Sequence, residues 1–150
     1  MDYSQDELDA LVKAVLRFKD GGLLKGYLVD FSDQAQTLGF VERGMKGSSD
    51  VPIEELKAIF FVRSFDGDRK YNEHKLFGRA PGKGKKILVK FKDKETIVGF
   101  LEKDSPRYMD FHLTKNDPKT GIFVWPVDEE SNNEKVYVFK SAVDDIMPLG

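Results

Sequence analysis

Two stretches of the chain alternate apolar and polar residues in the same way. VLRFKDGGLLKGYL begins at Val15 and LVKFKDKETIVGFL begins at Leu88. At a constant spacing of 73 residues Phe18 matches Phe91, Lys19 matches Lys92, Asp20 matches Asp93 and Gly26 matches Gly99. Period-two runs separated by a short polar turn predict a hairpin with one apolar face, and its recurrence predicts an internal repeat. The turn at Asp20, Gly21 and Gly22 has glycines that accept positive φ, whereas Asp93, Lys94 and Glu95 must turn without one. Gly26 and Gly99, inside second strands, predict a sharp bend or a close backbone approach.

Further strands follow in each copy. Extending the repeat without a gap places third strands at Thr37 to Val41 and at Asp110 to Thr114. The first copy then offers Val51 and Ile53, a one-turn connection, and the apolar run Lys57 to Arg63. In the second copy Val136 to Phe139, KSAVDD and Ile146 to Leu149 play those parts at a spacing of 87, so roughly fourteen extra residues are assigned to 121–134. Ahead of the repeat, Ser4 and Glu7 form a capping-box signature, and Leu8, Leu11, Val12 and Val15 offer a short helix an apolar face, with the helix expected to give way to the first strand near Val12 to Val15. The expected organisation is a first unit at 1–65, a basic glycine-containing linker at 66–84 and a second unit at 85–150.

Composition narrows the function classes. The 150 residues are 40% hydrophobic and 33% charged, which suits a folded domain. The longest apolar runs are strand-sized, so no membrane association is expected. The amino-terminal MDYSQDELDA has no basic-then-apolar order, which points to a cytoplasmic location. Without cysteine there is no thiolate nucleophile or thiolate metal site. His74 and His112 stand in no ligand or acid–base pattern, and GRAPGKGKK lacks the phosphate-loop spacing. Neither a catalytic residue, a metal site nor a cofactor is expected, and the chain reads as a non-enzyme.

The order of short helix, bent hairpin with internal glycine, third strand, fourth strand, one-turn connection and fifth strand resembles the Sm-like small β-barrel family. Phe18, Asp20, Gly21 and Gly26, and again Phe91, Asp93 and Gly99, look like that family's first motif, while Val136 to Pro148 is similar to the end of the bacterial Sm-like RNA chaperone. Where that chaperone has a lysine and histidine, this chain has Lys140 and Ser141. A second resemblance, around Glu54 to Val62 and Asp66 to Asp68, is to uncharacterised bacterial proteins and transfers no activity. The resemblance implies a mainly β fold of two tandem Sm-like or SH3-like strongly bent small β-barrels. It also implies assembly and single-stranded RNA binding.

Net charge is −2 overall, yet Asp66 to Lys94 holds ten basic against four acidic residues. Phosphate contacts dominate nucleic-acid affinity, so a local basic surface matters more than the total. Arg79, Lys83, Lys85, Lys86, Arg107, Tyr108 and Lys140 are the candidate RNA or anion contacts. Phe60, Phe61 and Trp125 are the candidate interface residues; neighbours on a strand face opposite ways, so Phe60 and Phe61 need cover on both faces. The leading expectation is a non-enzymatic scaffold or protein-binding module forming a homo-oligomer, a homodimer in the simplest case. Single-stranded RNA binding is the alternative.

Overall fold

The computed structural model describes residues 2–65, 83–102, 120–127 and 132–149. Helix α1 (Gln5–Asp9) is held at its start by the capping box: Glu7 N–H donates to Ser4 Oγ and Ser4 N–H donates to Glu7 Oε1. That acceptor role holds the Glu7 carboxyl below its usual range, chiefly through the Ser4 backbone amide. Leu8 packs with Tyr27 and Val41, pinning the helix to the sheet.

Strands then follow in quick succession: β1 (Val12–Phe18), β2 (Leu23–Asp30), β3 (Thr37–Glu42), β4 (Ser49–Pro52) and, after a 3₁₀ turn at Ile53–Glu55, β5 (Leu56–Val62). The second group is β6 (Lys83–Phe91), β7 (Thr96–Glu102), β8 (Gly121–Pro126), β9 (Asn133–Phe139) and, after a 3₁₀ turn at Lys140–Ala142, β10 (Val143–Pro148). All ten join one open antiparallel sheet in the order β10-β6-β7-β8-β9-β5-β1-β2-β3-β4. Each half-sheet therefore has the same internal order, running from its last strand through its first three to its fourth.

The two hairpin turns show how one backbone shape is reached from different sequences. Phe18 N–H donates to Gly22 O and Gly22 N–H to Asp20 Oδ1; Phe91 N–H donates to Glu95 O and Glu95 N–H to Asp93 Oδ1. Gly21 takes φ +95°, and Lys94 at the matching position is forced to φ +77°, a left-handed conformation that costs a side chain free energy.

The expected pair of closed Sm-like or SH3-like barrels is overturned. In each half-sheet the last strand lies at one end and the fourth strand at the other, and closure would require those two to pair. Instead β5 hydrogen-bonds to β9 of the other half, while β4 and β10 become the ends of the sheet. Strand pairing that would close each unit joins the two units.

The third strand of the second half also lies elsewhere than expected. Asp110 to Thr114 falls outside the described residues, and the strand that pairs with β7 is Gly121–Pro126, with Gly99 opposite Pro126 and Phe100 opposite Trp125. The region assigned as an insertion thus carries β8 and the start of β9. Gly26 and Gly99 mark close approaches. A Cβ on Gly26 would collide with Val41 O and lie 2.8 Å from the Phe40 ring; one on Gly99 would collide with Val124 and stand 2.5 Å from Trp125 O.

Candidate interaction site at the seam between the half-sheets

The seam pairs Ala58 with Val138, Ile59 with Tyr137, Phe60 with Val136 and Phe61 with Lys135. Because side chains alternate, this ribbon is buried on both faces. Ile59 and Phe61 join Tyr137 and Phe139 in the core of the first half, while Ala58 joins Val136 and Val138 in the core of the second, with Phe60 packed against it. Each half therefore completes the other's core. Tyr137 is central, with edge-on ring contacts to Phe31, Phe123 and Phe139 at 4.8, 4.9 and 5.1 Å.

Polar contacts fasten the seam at its margins. Lys57, at the start of β5 and 5% exposed, donates to Asp93 Oδ2 at 2.7 Å and to Glu95 Oε1 at 2.5 Å on the β6–β7 turn. Its ammonium also lies 4.6 Å from the Phe91 ring centre, and Arg17 approaches Glu95 at 3.8 Å. Hydrogen bonding by Lys57, then by the Glu95 amide, holds the Asp93 carboxyl below its ordinary value. Two cations of the first half thus meet two carboxylates of the second. At the other end Asn132 Nδ2 donates to Ser64 O and Asn132 Oδ1 accepts from Ser64 N–H; nearer the Lys57 end, beside Lys140, Thr120 N–H donates to Asp33 O at 2.6 Å. A cavity of about 100 Å³ opens beside the clamp, lined by Lys19, Lys57, Lys92, Asp93, Ser141 and Ala142.

The sequence candidates distribute unevenly over this frame. Phe61 is buried in the first core, and Phe60 is half-buried on the opposite face, where the second half covers it. Trp125 is half-buried on β8; its Nε1 has no hydrogen-bond partner among the described residues, and Lys135 lies 5.7 Å from its ring centre. Lys85 and Lys86 are exposed on β6, with Lys86 opposite Phe100 in the β6–β7 register. Lys140 sits in the 3₁₀ turn after β9, its amide donating to Thr120 O. Lys83 belongs to β6 through its backbone. Arg79, Arg107, Tyr108, His74 and His112 lie outside the described residues. The residues that sequence reasoning missed are Lys57, Asp93, Glu95 and Arg17. Their only signal is a lysine opening an otherwise apolar strand, and its partners lie 36 and 38 residues away.

Among the described residues no group of three or more His, Asp or Glu side chains is arranged to hold a metal ion, and no helix is long and apolar enough to cross a membrane. Residues 11–150 match the family described as Family of unknown function (DUF6982). The chain belongs to the DUF6982 family. No curated protein and no solved structure matches this DUF6982 chain significantly. The Sm-like resemblance is thereby corrected on two grounds: the family matched is DUF6982, and the DUF6982 sheet is open rather than closed into barrels.

Proposed function

We propose that this protein is a non-enzymatic scaffold that assembles with further copies of itself through its two outer strands, β4 and β10. One observation carries the reading: the seam already pairs the fifth strand of one half with the fourth strand of the other, and the outer strands are those same two positions left at the ends of the sheet. Shifting the seam register by the repeat spacing of 87 sets Ile146 opposite Asp50, as Ile59 stands opposite Tyr137.

The backbone supports that register. Hydrogen bonding from Lys140 N–H to Thr120 O sets the alternation along β9, so the N–H and C=O of Tyr137 face β5. By the same alternation, Ile53 N–H bonding to Gln36 O turns the backbone groups of Asp50 outward from β4. Leu149 N–H bonding to Lys86 O turns those of Ile146 outward from β10; the Ile146 amide donates to Asp145 Oδ1 at 2.9 Å, an acceptor that the carbonyl of a second copy would replace on pairing. Pro52 and Pro148 flank the pair and each removes one donor, which keeps the edge short. Such contacts are head-to-tail, and they generate rings or open chains according to the rotation between copies. A homodimer is the smallest such assembly, and a cytoplasmic setting belongs to the same proposal. Sedimentation equilibrium across the micromolar range is the test: self-association that Asp50→Pro abolishes is expected, and a monomer throughout overturns the reading.

A second reading, single-stranded RNA binding, is favoured by one row across β6, β7 and β8. Lys86 stands opposite Phe100 and Phe100 opposite Trp125, so a cation and two aromatics share one face of the second half-sheet. Bases stack on aromatic rings while lysines meet phosphates, which is the chemistry of such sites. Titration of labelled poly-U at two salt concentrations tests it; no saturable binding at low salt excludes it.

A further inference from the structure

The outer strands reproduce the backbone of the seam but not its side chains, and the difference is systematic. At the seam, Ala58 and Phe60 reach into the second core and Tyr137 and Phe139 into the first. At the repeat spacing of 87 their outer counterparts are Asp145 and Met147 on β10, and Asp50 and Pro52 on β4. Asp145, Asp50 and Pro52 are exposed, as is Met147 at 40%.

The ionic clamp changes in the same direction. Lys57 becomes Asp144, while Asp93 and Glu95 become Asp20 and Gly22 at the hairpin spacing of 73. Arg17 becomes Lys90, so the cationic part survives only there. The turn geometry carries over, because Asp20 and Asp93 both accept the amide two residues on, at 2.8 and 2.9 Å. The Asp20 carboxylate would therefore be presented to an approaching copy as Asp93 is presented to Lys57. What meets it is Asp144, a second carboxylate, and like charges brought together oppose association.

We infer that the residue at the Lys57/Asp144 position decides which strand edges pair: lysine closes the seam within a chain, and Asp144 holds copy-to-copy pairing weaker. The inference rests on the assembly register proposed above and names its specificity-determining residue. Within a chain β5 is tethered close to β9 and both cores are completed by the contact. Between copies neither advantage exists, and Asp144 against Asp20 keeps the edge available without committing it.

The test substitutes the seam residue at the outer edge. Asp144→Lys should lower the self-dissociation constant by about tenfold or more, the scale of one favourable charge pair replacing an unfavourable one. Asp20→Asn keeps the turn acceptor but removes the charge, so combining it with Asp144→Lys should erase most of that gain. Far-UV circular dichroism and thermal unfolding establish that each variant is folded. If Asp144→Lys leaves association unchanged while Asp50→Pro abolishes it, the charge inference is overturned and edge assembly stands. If the unsubstituted protein is monomeric and Asp144→Lys associates in an Asp20-dependent way, the inference stands and native self-assembly falls. If neither associates, both are overturned.

Discussion

Gly26 and Gly99 allow the sharpest test of how the sheet is packed. Gly26 lies in β2 opposite Glu42 of β3, next to the pair formed by Tyr27 and Val41. A methyl group there would overlap Val41 O and two Phe40 ring carbons at 2.8 Å, where ordinary contact begins near 3.4 Å. Phe40 is 2% exposed and cannot swing aside, and Val41 O belongs to the backbone of a paired strand. Relief requires β2 and β3 to separate by more than half an ångström. Overpacking of this kind costs about 1–3 kcal/mol, and each ladder hydrogen bond lengthened or lost adds about 0.5–1.5 kcal/mol. Gly26→Ala should therefore cost about 2–4 kcal/mol, and the branched Gly26→Val more. Gly99→Ala, facing Val124 and the Trp125 carbonyl, belongs in the same range. Gly47→Ala is the control, since its Cβ would meet only Asp2 Oδ1 at an ordinary 3.5 Å. Urea unfolding with a shared m-value measures all three. Gly26→Ala within about 0.5 kcal/mol of Gly47→Ala, the usual scatter of surface changes, would refute the close-approach argument.

Other outcomes follow from the turns and the clamp. Lys94→Gly should stabilise the protein by about 0.5–1 kcal/mol, because φ +77° is strained for lysine and free for glycine; a lower unfolding midpoint would contradict this. The Asp93 carboxyl is depressed by Lys57, so its contribution is present above the unfolded carboxylate range and is lost as pH falls through the folded value. Asp93→Asn should accordingly flatten the acid limb of the stability profile, and an unchanged limb would show that the clamp does not link the halves energetically.

The sequence alone was sufficient for the local features. Alternation in VLRFKDGG and LVKFKDKE marked two equivalent hairpins, and Ser4 and Glu7 marked the helix cap, because each depends on residues a few positions apart. Gly26 and Gly99 left a sharp bend and a close approach both open, and the neighbouring strand shows the close approach. Which edge β5 would choose was a different kind of question. Pairing within its own unit and pairing with β9 use the same backbone groups. Pairing with β9 brings Lys57 to Asp93 and Glu95 and places Phe60 and Tyr137 in opposite cores. Those partners are distant in sequence and carry no local pattern. The position of β8 was hidden for a related reason: a gapless repeat pointed to Asp110, whereas pairing of Phe100 with Trp125 selects Gly121–Pro126. Periodicity specifies that a strand has an apolar face; only the assembled sheet decides which strand lies beside it, because the free energy of that choice comes from side chains the sequence does not place together.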